Sequence, residues 1–149
     1  MIDIHVRIGE ADFDIGAETD RLIGDGIGGL ATFTGVVRGS GGLLTMTLDH
    51  YPAMTTRALN NLAEEANERF DLAAISIIHR VGVLRPKERV VFVGTASARR
   101  ADALDACAFL IDRLKTDAPF WKREVFADGR DTWVEQRQTD VQTAGRWLI

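Results

Sequence analysis

The chain is predicted to fold as an α+β domain with a mixed or mainly antiparallel sheet. Three observations point there. Several short stretches alternate apolar and polar residues, as half-buried strands do. Two longer stretches repeat their apolar residues at helical spacing. These strands and helices come in mixed order, with hairpin-like neighbours as well as helical crossovers, which favours α+β over a strict βαβ repeat. With 149 residues and no long linker, low-complexity run or internal repeat, residues 1–149 are expected to form one domain.

The first strand is read at 2–8, I-D-I-H-V-R-I, where every second residue is apolar. A short helix is expected from Ala17 to Leu22. Gly24–Gly29 formally matches G-x-G-x-x-G, but a dinucleotide fingerprint follows a strand and opens a helix. Here a strand follows instead, Leu30–Arg38, so the glycines read as a loop. After Gly39-Ser40-Gly41-Gly42, Leu43–His50 alternates again and is expected to pair with Leu30–Arg38 as a hairpin. Pro52 suits the first turn of a helix. From there to Phe70, Leu59, Leu62, Ala63, Ala66 and Phe70 form an apolar stripe that Glu64, Glu65 and Glu68 avoid.

Ala73–Arg80 reads as a strand, with Gly82 and Pro86 bracketing a turn. Arg89–Ala98 is apolar enough to be central in its sheet. A second long helix is expected from Arg99 to Asp117, ended by Pro119. Phe120 and Trp121 are expected to pin the next segment into the core. Trp133–Arg137 reads as a last strand before a helical tail.

Composition narrows the function. The net charge is −4, which argues against nucleic acid as a partner. A single cysteine excludes an internal disulfide and a multi-cysteine metal site. His5, His50 and His79 lack metal-type spacing, so no metal ion or cofactor is expected. No apolar run approaches the ~20 residues of a membrane span. The amino-terminal segment does not resemble a secretory signal, and the chain reads as a soluble cytoplasmic protein.

Lysine usage is the sharpest anomaly. Of 18 cationic residues only Lys87, Lys115 and Lys122 are lysines. Two of them fall in Lys115–Glu124, K-T-D-A-P-F-W-K-R-E. A guanidinium stays charged, whereas a partly buried amine can exchange a proton. On a helical wheel centred on Leu104, Ala108, Ile111 and Lys115 share one face, which would put Lys115 on the apolar stripe. Either that amine is desolvated, or it snorkels from the helix end and meets the negative pole of the dipole. At the other end Arg99-Arg100 stands at the positive pole. That pair makes an anion site or is balanced by Asp102 and Asp105. The two helix ends are roughly 22 Å apart at 1.5 Å per residue. A small ligand bridging them needs two chains, hence a symmetric dimer. Arg38, at a strand end before a glycine loop, and Arg137 are further candidates for facing a ligand.

These residues resemble a known family, the large catalytic subunit of molybdopterin synthase. The resemblance runs through F-T-G-V-V-R (Phe33–Arg38), L-D-H-Y-P-A-M (Leu48–Met54), I-H-R-V-G (Ile78–Gly82), V-F-V-G-T-A-S-A-R-R (Val91–Arg100), L-K-T-D-A-P-F-W-K-R-E (Leu114–Glu124) and W-V-E (Trp133–Glu135). It implies an α/β hammerhead-like fold with two main helices. It implies a sulfurtransferase of molybdenum cofactor biosynthesis that inserts two sulfurs into cyclic pyranopterin monophosphate to form the molybdopterin dithiolene. The sulfur would come from a small ubiquitin-like partner ending in a Gly-Gly thiocarboxylate. The assembly would be a heterotetramer built on a homodimer of large subunits. Residue by residue, it implies Lys115 and Lys122 as catalytic, and Val36, Val37, Arg38, Arg99, Arg100, Arg123, Glu124 and Arg137 as substrate-binding. The chain departs from the family at two of these positions. Arg99 replaces a histidine, which suits a phosphate contact, and Val36 stands where lysine is common. The competing reading is a non-catalytic dimeric module that binds a phosphorylated metabolite; it needs the arginines but not both lysines.

Overall fold

The computed structural model describes residues 2–134 and 145–147. Its elements follow in order: β1 (Asp3–Gly9), α1 (Ile15–Asp20), β2 (Gly29–Val36), β3 (Leu43–His50), α2 (Pro52–Arg69), β4 (Ala74–Arg80), β5 (Gly82–Leu84), β6 (Arg89–Ser97), α3 (Arg100–Asp117), β7 (Phe120–Phe126) and β8 (Asp131–Val134). They form two four-stranded sheets, ordered β1-β4-β6-β2 and β5-β3-β7-β8. Among the described residues only β1 and β4 pair in parallel; the other pairings are antiparallel. The expected α+β class with mixed and antiparallel sheets is what the chain adopts.

The first sheet is covered on both faces, which explains why β4 and β6 read as nearly continuous apolar runs. Ile75, Ile77, Val91 and Val93 join Leu59, Leu62, Ala63 and Ala66 of α2 and Phe109, Leu110 and Leu114 of α3 in the main core. Ala74, Ile78, Phe92 and Ala96, on the opposite face, meet Phe13 and Leu22 in a smaller cluster. Each fully buried leucine, isoleucine or phenylalanine contributes roughly 1.5–3 kcal/mol relative to exposure. Pro52 occupies the first turn of α2, as its fixed φ favours. The short α1 starts at Ile15 rather than Ala17, because the Asp14 carboxylate accepts from the Ala17 N–H at 2.9 Å and caps it.

The expected hairpin between β2 and β3 does not form. The two strands lie in different sheets. β2 pairs with β6 and breaks register between Gly35 and Val36, after which Val37 bonds to the Lys87–Glu88 turn instead. β3 then takes β5 and β7 as its neighbours. The chain passes between the sheets a second time at Val81, just before Gly82 with φ +85°, a left-handed conformation that favours glycine. Of the last expected strand, Trp133 and Val134 lie in β8; Glu135–Arg137 fall outside the described residues. In the tail, Trp147 donates its indole N–H to Asp112 at 2.7 Å and meets Phe109 edge-on.

Candidate active site

Helix α3 separates the candidate residues into two groups. It folds straight back along β6. Thr95 Oγ1 donates to the Ala103 carbonyl at 2.6 Å, and the Cys107 thiol reaches the Val93 carbonyl. Its first turn therefore lies at the Ser97 end of β6 and its last turn at the Arg89 end. Arg99 and Arg100 sit at one end of the layer. Lys115 sits at the other, where β2 also runs out into Val36, Val37 and Arg38.

At the first end, Arg99 is the N-cap of α3 and offers no side-chain cap. Ser97 Oγ fixes the approach, donating to the Asp71 carbonyl at 2.6 Å and accepting from the Arg99 N–H at 3.0 Å. Gly28 and Gly29 lie against Ala98 and Arg100 with no room for a side chain at Gly28. Both arginines are exposed, and neither forms an ion pair with Asp102 or Asp105 among the described residues. An uncapped helix start with two guanidiniums is chemically an anion site.

At the second end, Lys115 is exposed on the last turn of α3. The wheel centred on Leu104 misplaces it. Leu104 is itself 56% exposed, and the buried face runs through Ala103, Ala106, Cys107, Leu110 and Leu114. Lys115 therefore follows the outer strip with Leu104, where the helix dipole favours a cation. Cys107 is on the buried face, where burial pushes its thiol up to about 11 and makes it inert.

Directly after Pro119 the chain enters β7, a strand that the sequence pattern did not reveal. Phe120 lies opposite His50 of β3, and Lys122 opposite Leu48. Strand alternation puts Phe120, Lys122 and Glu124 on one face, with Trp121 and Arg123 on the other. Phe120 turns into the fold, its ring 4.2 Å from His79 and 5.9 Å from His50. Trp121 does not. It is 45% exposed and stands edge-on to Tyr51. Lys122 is half-buried, whereas Arg123 reaches the Asp131 carboxylate with two nitrogens. Arg123 and Lys122 thus face apart.

His79 joins these elements. Burial pushes its imidazole down to about 4. The bond to the Arg80 carbonyl opposes that shift, while the charges of Lys115 and His50 add to it. His50 Nδ1 stands 3.1 Å from Thr55 Oγ1, tying the end of β3 to the start of α2. Neither histidine was singled out by the sequence pattern. For His79 the signal available was its alternation with Ile75 and Ile77, which puts it on their face of β4.

The Val36–Arg38 segment is held by two backbone bonds, from the Val37 N–H to the Glu88 carbonyl at 2.9 Å and from the Lys87 N–H to the Val37 carbonyl at 2.8 Å. Val37 is buried; Val36 and Arg38 are exposed. The third lysine is thereby brought beside Arg38, on a turn where Lys87 adopts φ +77°. Arg137 lies outside the described residues.

The family model described as "MoaE protein" matches residues 8–117. A "Molybdopterin synthase catalytic subunit" of Ralstonia nicotianae is 46% identical, over 97% of this chain and 84% of its own length. A solved MoaE protein from Burkholderia ambifaria superposes with a TM-score of 0.84 at 43% identity, covering 100% of this chain and 99% of its own. A molybdopterin synthase structure from Staphylococcus aureus gives 0.79 at 28% identity, covering 87% of this chain and 96% of its own.

Proposed function

This chain belongs to the MoaE protein family, and on that premise we propose that it is the catalytic subunit of a molybdopterin synthase. It inserts two sulfurs, one from each of two thiocarboxylated small-subunit molecules, into cyclic pyranopterin monophosphate, forming the dithiolene of molybdopterin. The observation that carries the reading is the gathering of Lys115, the Lys122 strand and the Arg38 segment at one end of the α3–β6 layer. A catalytic subunit needs a partner, and a thiocarboxylate tail is an extended anion that this cationic end suits.

Arg99 and Arg100 lie at the far end of a helix of 18 residues. They cannot reach a ligand held by Lys115 of the same chain, since 15 residues of helix span roughly 22 Å. A second copy, with its helix running the other way, supplies them. The site is then shared in a homodimer, with one small subunit serving each lysine end. In it the arginines hold the cyclic phosphate, and Arg137 is assigned to the same task. Lys115 holds or moves a proton and stabilises developing negative charge as sulfur attacks. Lys122 assists electrostatically, with Glu124 on its face of β7. Val36 and Val37 wall the substrate beside Arg38.

Lys115→Ala should abolish dithiolene formation from the pterin precursor and the thiocarboxylated partner, with the thermal melt unchanged. Full activity in that variant would sink the assignment. Lys115→Arg separates the roles, because it keeps the charge without a titratable amine.

A further inference from the structure

Against Phe120, which lies between Lys115 and Lys122 in the chain, is stacked a buried imidazole that the proposed reaction has no use for. The His79 side chain is on the face of β4 that carries Ile75 and Ile77 into the main core. Its Nδ1 is 2.8 Å from the Arg80 carbonyl oxygen. A carbonyl only accepts, so Nδ1 carries the proton and the ring plane is fixed. The Phe120 ring lies on it at 4.2 Å, inclined by 31°, and Phe120 also meets His50 across the β3–β7 pairing. Phe120 is five residues after Lys115 and two before Lys122. It is the first residue of β7, and its face is the one that Lys122 shares.

A purely apolar ring would fill this volume without desolvating a polar group. The imidazole adds a plane locked by a hydrogen bond, and therefore one orientation for Phe120. We propose that His79, stacked on Phe120, is a positioning residue that holds the end of α3 and the start of β7 in one relation and so sets the placement of Lys115 and Lys122. The inference rests on the reading that these lysines serve sulfur transfer, and it names what aligns them. A ring that stays neutral also puts no second positive charge beside Lys115.

The test uses the scarcity of lysine. With only three lysines in the chain, reductive 13C-methylation gives one dimethyl-lysine resonance for each, plus the terminal amine. His79→Asn keeps a donor near Nδ1 and removes the ring. His79→Phe keeps a ring. Phe120→Leu removes the stack from the other side. In His79→Asn and Phe120→Leu the Lys115 and Lys122 resonances should shift and that of Lys87 should not. For these two variants kcat should fall about 10- to 100-fold, as expected for misplaced catalytic groups. KM for the thiocarboxylated partner should stay within about twofold. The double variant should be no worse than the poorer single one, and His79→Phe, which keeps a ring but loses the hydrogen bond that locks its plane, should recover only part of the rate. If His79→Asn fails to fold, Phe120→Leu decides alone. Folded variants with unmoved lysine resonances and kcat within about twofold of the parent overturn the proposal. So does a loss of rate that only tracks the loss of folded protein. Full activity of Lys115→Ala would instead overturn the functional reading, while the resonance shifts would still judge the role of His79.

Discussion

A β-carbon at Gly28 would overlap the Ala98 carbonyl oxygen, so the glycine loop and the start of α3 are in backbone contact. The Gly28 N–H also donates to the Ser97 carbonyl at 2.9 Å. The loop is therefore no phosphate cradle of the dinucleotide kind, but a brace for the segment that presents Arg99 and Arg100. Gly28→Ala must push that segment away, at a cost of about 1–3 kcal/mol for an overpacked site. KM for the phosphorylated pterin should rise more than kcat falls, because the displaced groups bind rather than react. Gly29→Ala is the control, since its β-carbon would meet Arg100 Cα only at an ordinary 3.5 Å. Equal damage from both substitutions, in melts and in kinetics, would show that the close approach is irrelevant.

Lys122 and Arg123 adjoin in sequence but face apart in β7. Lys122 shares its face with Phe120, whereas Arg123 is held by Asp131 across β8. Lys122→Ala should lower kcat/KM at least tenfold more than Arg123→Ala, a difference of about 1.4 kcal/mol. Removing Arg123 loses only an exposed ion pair, which solvent screens. A larger kinetic effect at Arg123 would mean that the outer face of the sheet meets the substrate in the assembly.

The class of the fold was legible because β4, β6 and α2 carry strong periodicities. What escaped has physical causes. β7 was missed because Lys122 and Glu124 occupy its inward positions, which erases the alternation a half-buried strand shows. The β2–β3 hairpin was expected from a short glycine loop, yet the bonds of Val37 to the Lys87–Glu88 turn carry the chain out of the first sheet. Lys115 was misplaced because Leu104 drew the centre of the wheel, while the buried stripe of α3 begins with the smaller Ala103, Ala106 and Cys107. The lysines themselves were visible from residue usage and from the family resemblance. Their alignment through His79 depends on packing between two sheets, which no local pattern encodes.

Ser76 Oγ is buried without a hydrogen-bond partner among the described residues. It lies on β4 opposite His5 on one side and Gly94 on the other. An unpaired buried hydroxyl carries its desolvation cost uncompensated. Ser76→Ala should therefore leave stability unchanged or raise it by up to about 1 kcal/mol. Thr95 is the counterexample, buried on β6 with its hydroxyl on the Ala103 carbonyl. Thr95→Val should cost about 0.5–1.5 kcal/mol. Urea titrations of both variants check the pair. A loss at Ser76 equal to that at Thr95 would reveal a partner for the Ser76 hydroxyl.

His79 predicts how stability depends on pH. Burial holds its folded-state value at about 4, below the ordinary 6.5. Between those values the unfolded chain binds the extra proton, so protonation favours unfolding. The contribution is complete above about 6.5, shrinks as the pH falls, and is gone below about 4. At ~1.4 kcal/mol per pH unit it amounts to about 3 kcal/mol at most. The charges of Lys115 and His50 both disfavour a charged ring, so neither reverses the sign. Stability of the parent and of His79→Phe, measured by urea at pH 4.5, 5.5 and 7.5, isolates the effect, because the other titrating groups are common to both. The gap between the two proteins should change steadily across that range, the parent losing more as the pH falls. Parallel curves would mean that His79 is protonated in the folded protein as readily as in the unfolded chain, and a charged ring could not sit stacked on Phe120 beside Lys115 without repelling it.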